Sequence, residues 1–304
     1  MQLLSLRPRR IISPLAPEMF ARQLGRVMAA LLLAHQLPVF GKPAEVITSA
    51  SLNQKINASS ALLVDAATGQ VLFSKNPTTP YAPASTTKLL TGLLVYEHTH
   101  LEGNVVVEKP DTMVQPSSIP LKVGETVSVR TLVQSLLIGS DNDSAMALAR
   151  FTSGSAPAFV ALMNTRAREL GCTGSVFKTP NGLPAPNQVT TAQDLLKIFQ
   201  AAMAIPELRQ ICQTPSLTLT TAVGKQVLKN HNHLLGVYPG MGPAKTGWTK
   251  ASEHTYAASA TRDGRELQLI LLHSVNKWDD AKLLFDYGFQ TLRNGKVNPA
   301  EHHP

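Results

Sequence analysis

Strand-like segments near the two ends of this chain enclose a long stretch of helical periodicity, and that order limits the folds open to it. Ser60–Asp65 and Gln70–Ser74 are short apolar runs joined by Ala66-Ala-Thr-Gly69, a hairpin signature. Toward the other end, His254–Thr261 and Glu266–His273 read as strands on either side of the tight turn Arg262-Asp263-Gly264, with a further strand over Leu217–Val223. Between these groups, Ser85–His98, Thr131–Ile138, Ser144–Phe151, Ala158–Leu170 and Ala192–Ala204 carry apolar residues at helical spacing. In the first of them Leu89, Leu90, Leu93 and Leu94 form one apolar face. Residues 104–129 alternate short strands and turns, and Asp279–Phe289 closes the chain as an amphipathic helix. The C-terminal strands are expected to pair with the N-terminal hairpin. The expected fold is α/β (α+β), an antiparallel sheet flanked by helices with a helical subdomain. One domain is expected over 51–290, its sheet drawn from 57–84 and 215–290 and its mostly helical insert from 85–214, followed by a short tail over 291–304.

Hydrophobic residues make up 43 % of the 304 and charged residues 16 %, a balance too apolar for disorder and sufficient to bury a sizeable core. Two cysteines exclude a disulfide-rich scaffold and a four-cysteine zinc site. An apolar run of about 18 residues or more, the signal of a transmembrane helix, is absent. The net charge of +8 points to nucleic acid only until it is located. Half of it lies in residues 1–50, where Arg7, Arg9, Arg10, Arg22, Arg26 and Lys42 face only Glu18 and Glu45. The other basic residues are scattered, without a dense run interleaved with aromatics, so nucleic acid is not an expected partner. Arg22 and Arg26 precede the apolar run Val27–Ala34, a signal-peptide outline, and Thr48-Ser49-Ala50 offers small residues for cleavage. Residues 1–50 therefore read as a leader, with Met19 as an alternative start. The mature protein is expected to be exported to the periplasm or cell envelope without a stable membrane anchor.

Three residue pairs match Ser-x-x-Lys: Ser85/Lys88, Ser175/Lys178 and Ser274/Lys277. Only the first opens an apolar-periodic helix, where positions three apart share a face and the amine can reach the hydroxyl. The helix start also favours a nearby oxyanion. Lys178 lies in a short Val-Phe-Lys-Thr strand stopped by Pro180, and Lys277 precedes a helix whose apolar face begins later. Ser-x-Asn begins at Ser51, Ser74, Ser140 and Ser274, but only Ser140-Asp-Asn142 falls in a break between two helices. Lys-Thr-Gly occurs once, at 245–247. Only Ser85/Lys88 is followed in order by such a Ser-x-Asn and then by Lys-Thr-Gly.

This ordered triple resembles the penicillin-recognising serine enzymes, whose motifs are S-x-x-K, S-x-N and K-T-G. The flanks resemble, more narrowly, the low-molecular-mass D-alanyl-D-alanine carboxypeptidases: Pro83-Ala-Ser-Thr-Thr-Lys-Leu-Leu-Thr91, Leu137-Ile-Gly-Ser-Asp-Asn-Asp-Ser-Ala145, Phe177-Lys-Thr-Pro-Asn-Gly-Leu183, Lys245-Thr-Gly-Trp-Thr249 and Asp286-Tyr-Gly-Phe289. The resemblance covers about residues 57–290 and implies the β-lactamase/DD-peptidase-like fold. The chain stops soon after Phe289, as in the short members of the family.

The resemblance implies a nucleophile at Ser85 and an acylation base at Lys88, its pKa lowered by burial beside Lys245. Ser140 would relay a proton to the leaving D-alanine, and Asn142 would hold the substrate amide. Lys245 and Thr246 would bind the terminal carboxylate, with Lys277 at a basic position that contacts the same group. Gly247 would let the substrate lie against the strand edge, and the amides of Ser85 and Trp248 would form the oxyanion hole. No metal or other cofactor is implied. The implied partners are peptidoglycan stem peptides ending in D-Ala-D-Ala, with β-lactams as covalent inhibitors.

Three alternatives stand beside this reading. A D-alanyl-D-alanine endopeptidase would attack the same carbonyl with a cross-linked amine as leaving group. A β-lactamase needs a deacylating glutamate between the second and third motifs, where only Glu169 and Glu207 occur, neither in a Glu-x-x-Leu-Asn context. A non-catalytic penicillin- or peptidoglycan-binding module is disfavoured by the intact motifs. His231-Asn232-His233 reads as a polar turn leading to the Lys-Thr-Gly strand, because histidines two apart without a carboxylate or cysteine cluster make poor metal ligands. Asp141 and Asp143 read as caps of the following helix. An exported compartment permits a Cys172–Cys212 disulfide, though nothing in the sequence brings the two together.

Overall fold

The computed structural model describes residues 49–114 and 119–295. The leader lies outside these residues except for Ser49 and Ala50, which open helix α1 (Ser49–Lys55). Most of the expected tail also lies outside them.

A five-stranded antiparallel sheet organises the molecule, and β3 (Asn104–Val106) pairs with β4 (Thr126–Ser128) in a separate two-stranded ladder. Strand β1 (Ser60–Asp65) pairs with its hairpin partner β2 (Val71–Lys75) and with β9 (Arg265–Ser274), placing Leu62 opposite Ile270 and Leu63 opposite Leu269. The N-terminal hairpin and the C-terminal strands therefore share one sheet, as their patterns predict. Strand β8 (Glu253–Arg262) joins β9 to β7 (Met241–Thr249), which forms the sheet's edge. Asp263 and Gly264, at φ of 50° and 73°, make the turn between β8 and β9, the left-handed conformation that suits a tight hairpin.

Both faces of the sheet are covered. On one side, α2 (Lys88–Thr99) runs through the centre of a helical lobe made with α3 (Val129–Ile138), α4 (Asn142–Ser153), α5 (Ala156–Glu169) and α6 (Ala192–Met203). Residues Lys88 to Val95 of α2 are all buried, so this helix is apolar nearly all round and has no solvent face in its first two turns. Its leucines pack with Leu136, Leu148, Phe159 and Phe199. The side chains of Ser128, Asp141, Ser155 and Thr191 cap the starts of α3, α4, α5 and α6. On the other side, α8 (Lys277–Arg293) and α1 cover a second core containing Leu52, Leu63, Leu269, Leu271, Leu284 and Phe285. Among the described residues, no helix is long and apolar enough to cross a membrane.

Three elements depart from the sequence reading. The short strand expected over 176–179 is a single isolated bridge of Val176 to Val189, stopped before it can form a ladder. The strand expected over Leu217–Val223 is the first half of a hairpin, β5 (Ser216–Thr221) with β6 (Gly224–Lys229). Only Leu219 and Leu228 are buried within it, so it lacks the alternation that marks a half-buried strand. Helix α7 (Pro206–Cys212) is seven residues long, too short to show a helical period.

Asp280, buried in the first turn of α8, ties three parts of the chain together. Its carboxylate accepts hydrogen bonds from the backbone amides of Asn57 (2.9 Å) and Ala58 (2.8 Å) and from Ser274 Oγ (2.7 Å). Replacing it by alanine strands buried donors whose hydrogen bonds go to a charged group. Asp280→Ala is expected to cost about 3 kcal/mol and to lower the thermal midpoint by about 6–12 °C in a domain of this size. Calorimetry measures this, and a shift below about 2 °C would show that the joint carries little stability.

Candidate active site

The three motifs converge where the start of α2, the α3–α4 break and the edge strand β7 meet. A 3-10 turn (Ala84–Thr87) delivers the chain into α2, and Ser85 sits half-buried within it. Ala84 holds a left-handed φ of 48°, a strained choice for a residue with a Cβ. The turn is packed tightly by Gly182, itself at φ 82°, where an added Cβ would lie only 1.9 Å from the Ala84 carbonyl oxygen. The segment around Gly182 therefore locks the serine's backbone.

Lys88, the first residue of α2, is completely buried. Its Nζ donates to Ser85 Oγ (2.8 Å), Asn142 Oδ1 (2.8 Å) and the Asn181 carbonyl (2.6 Å). Burial, and then the charge of Lys245, hold its pKa well below the ordinary lysine value, against a smaller opposite pull from Asp141. A neutral amine in this position can take the hydroxyl proton of Ser85.

Ser140 occupies the break between α3 and α4 at a left-handed φ of 60°. It receives a hydrogen bond from Lys245 Nζ at 2.9 Å. Asp141 then caps α4, accepting from the amides of Ser144 (2.8 Å) and Ile119 (3.1 Å), while Asp143 lies inside the first turn. Lys245 is buried on β7, and burial lowers its pKa to about 8. Gly247 follows on the same strand. A Cβ there would sit 2.7 Å from the Ser85 amide nitrogen and 2.4 Å from Thr255 Oγ1, so only glycine lets the Ser85 turn rest against this strand.

A cavity of about 530 Å³ opens above these groups. Ser85, Ser140, Asn142, Thr246, Gly247, Trp248 and Lys277 line it, while Lys88 and Lys245 lie behind its wall and reach it through Ser85 and Ser140. Leu183, Pro184, His231, His233 and Trp278 complete much of the lining. Lys277, at the start of α8, is only 8 % exposed, and burial lowers its pKa to about 8. No aspartate or glutamate lines the cavity among the described residues. The arrangement is a hydroxyl beside a deprotonatable amine, in a cleft whose fixed charges are cationic. It suits acyl transfer to serine from a substrate that carries an anionic group.

The sequence model of the D-alanyl-D-alanine carboxypeptidase family, peptidase family S11, matches residues 46–276. The chain belongs to this family of serine peptidases. A D-alanyl-D-alanine carboxypeptidase of Mycobacterium tuberculosis is 36 % identical over 236 residues, which span 75 % of this chain and 81 % of that protein. A D-alanyl-D-alanine endopeptidase of Pseudomonas aeruginosa is 31 % identical over 237 residues, spanning 75 % of this chain and 74 % of that protein. Among solved structures, a D-alanyl-D-alanine carboxypeptidase from Mycobacterium tuberculosis superposes with a TM-score of 0.75 at 34 % identity, covering 86 % of this chain and 97 % of that one.

In this member of the D-alanyl-D-alanine carboxypeptidase family, the serines of the other Ser-x-x-Lys matches serve structure. Ser175 Oγ donates to Asp194 (2.8 Å), and Lys178 is exposed. Ser274 Oγ is turned to Asp280. His231 and His233 flank the buried Asn232, whose Oδ1 accepts from Tyr256 Oη (2.7 Å) and the Leu234 amide (3.2 Å), a polar turn leading toward β7. Cys172 and Cys212 are separate buried free thiols, each pushed up to about 12 by burial. Glu169 is ion-paired with Arg166 (3.3 Å), and neither it nor Glu207 lines the cavity.

Sequence reasoning missed two groups. One is the Asn181 carbonyl, a backbone acceptor that no residue type announces. The other is His254, whose Nδ1 lies 2.9 Å from Lys277 Nζ.

Proposed function

We propose that this protein is a D-alanyl-D-alanine carboxypeptidase that removes the terminal D-alanine of peptidoglycan stem peptides through an acyl-enzyme on Ser85. The observation that carries the proposal is the 2.8 Å contact between Ser85 Oγ and the buried Nζ of Lys88, beside the cation Lys245. Neutral Lys88 takes the Ser85 proton as Oγ attacks the carbonyl of the penultimate D-alanine. The amides of Ser85 and Trp248 receive the oxyanion, and the substrate lies as an added strand along the open edge of β7. The bond to the terminal D-alanine then breaks as the proton taken up by Lys88 passes through Ser140 to the leaving nitrogen, which returns Lys88 to its neutral form. Asn142 holds the substrate amide. Thr246 and Lys277 bind the departing carboxylate, and the charge of Lys245 attracts it from behind Ser140. Water then attacks the ester, frees the trimmed peptide and restores Ser85. Penicillins acylate the same serine. The basic-then-apolar leader supports action in the periplasm or cell envelope.

Digestion of muropeptides followed by mass spectrometry tests the proposal. The expected result is loss of one D-alanine from uncross-linked pentapeptides. Conversion of cross-linked dimers to monomers in its place would assign the endopeptidase reaction instead, and loss of neither would overturn both.

The shifted lysines set a pH profile. Lys88 must be neutral, so kcat/KM rises as Lys88 loses its proton. Lys245 and Lys277 must be charged to hold a carboxylate; both are lowered to about 8, so their charge is present below that pH and lost above it. The alkaline limb should steepen toward about a hundredfold per pH unit, the two-proton limit. Lys277→Arg keeps its charge at high pH and should relax the limb to about tenfold per unit. An identical limb in that variant would remove Lys277 from carboxylate binding.

A further inference from the structure

We propose that His254 is a positioning residue that holds the Lys277 ammonium where it meets the substrate's terminal carboxylate. The proposal rests on the carboxypeptidase reading above. A lysine is a compact charge on a flexible stem, whereas an arginine presents a rigid fork to a carboxylate. A lysine that must receive a carboxylate at one fixed place therefore needs to be pinned by its surroundings.

The structure pins it in two directions. Lys277 Nζ lies 2.9 Å from His254 Nδ1 and 4.4 Å from the centre of the Trp278 ring. An ammonium has donors and no acceptor, so His254 Nδ1 must accept, which fixes the imidazole as the neutral tautomer with its proton on Nε2. Burial and the nearby Lys277 charge both lower the histidine's pKa, against an opposite pull from Glu253, which favours that neutral form. With one N–H committed to His254, the ammonium keeps two for a carboxylate.

His254 is itself held by the sheet. It stands opposite Trp248 in the β7–β8 ladder and opposite Ser274 in the β8–β9 ladder. Ser274 in turn accepts from the Asn276 amide (3.1 Å) and donates to Asp280 (2.7 Å), fixing the first turn of α8 from which Lys277 projects. The strand that carries the Lys-Thr-Gly motif and the helix that carries Lys277 are thus referenced to each other through one ring. A site on rigid elements with locked side chains binds without first having to order them.

The test uses the purified full chain and two acyl donors. One is an N-acylated tripeptide ending in D-Ala-D-Ala. The other is a D-alanyl thioester of a neutral thiol, which offers the same carbonyl without a carboxylate. His254→Ala should raise KM for the tripeptide about tenfold with kcat within about threefold, the lower end of what a lost hydrogen bond to a charged group produces. His254→Asn, whose Oδ1 can accept from Lys277, should restore most of the loss. Neither substitution should move KM for the thioester. An effect on kcat alone, an equal effect on both donors, or failure of asparagine to restore binding overturns the proposal. Thermal midpoints of both variants separate loss of fold from loss of positioning. Absence of D-alanine release by the unsubstituted protein overturns the carboxypeptidase reading and this one with it; release with an unmoved KM in His254→Ala overturns this one alone.

Discussion

Ser85→Ala is expected to lower D-alanine release by at least about 10⁴-fold and to abolish covalent penicillin binding. The serine is the only hydroxyl hydrogen-bonded to Lys88 Nζ among the described residues, so no neighbour is placed to take over as an activated nucleophile. Ser140 lies in the same cavity, but its hydrogen-bond partner is Lys245 rather than Lys88. The substitution removes one half-buried hydroxyl, so the thermal midpoint should stay within about 2 °C of the parent. Release assays and thermal unfolding on the same preparation separate chemistry from folding. Residual activity within about tenfold of the parent would place the nucleophile elsewhere.

Lys88→Arg is the second large effect. Arginine keeps a positive charge in the same place but does not give up its proton in a protein, so it cannot act as the base. Loss of general-base catalysis is worth about 10²–10⁴-fold, and the slowed step should be acylation, by peptide and by penicillin alike. The guanidinium must also fit where Nζ now meets Ser85, Asn142 and the Asn181 carbonyl, so Lys88→Gln serves as a smaller companion variant. Rapid-quench acylation with a labelled penicillin measures the step directly. A near-parental acylation rate in either folded variant would show that another group takes the proton.

The reach of the sequence differs from residue to residue, for physical reasons. The pairing of β1 with β9 follows from two apolar hairpins that need one sheet between them. The Ser85–Lys88 contact follows from spacing on one helical turn, a local property that sequence carries well. Gly247 is legible as part of a motif, but the reason for glycine, the approach of the Ser85 amide, is a tertiary fact. The left-handed backbone of Ser140 has no local signature, because serine is not a residue that selects that conformation. The Asn181 carbonyl meets Lys88 from 93 residues away and through its backbone, which leaves no trace in residue type. Lys277 and His254 come from different elements, and strand alternation cannot show that a ring on β8 meets an amine on α8. The β6 strand and α7 escaped notice because one is polar and the other too short for a period to show.

Acylation of Ser85 is the claim on which the mechanism, the inhibition by penicillins and both large effects depend. Peptide mapping by mass spectrometry after brief exposure to benzylpenicillin tests it most directly. A single penicilloyl adduct is expected, confined to the peptide that contains Ser85 and absent from Ser85→Ala. An adduct on Ser140, Ser175 or Ser274, or an unmodified protein under conditions where a known penicillin-binding enzyme is labelled, would contradict it.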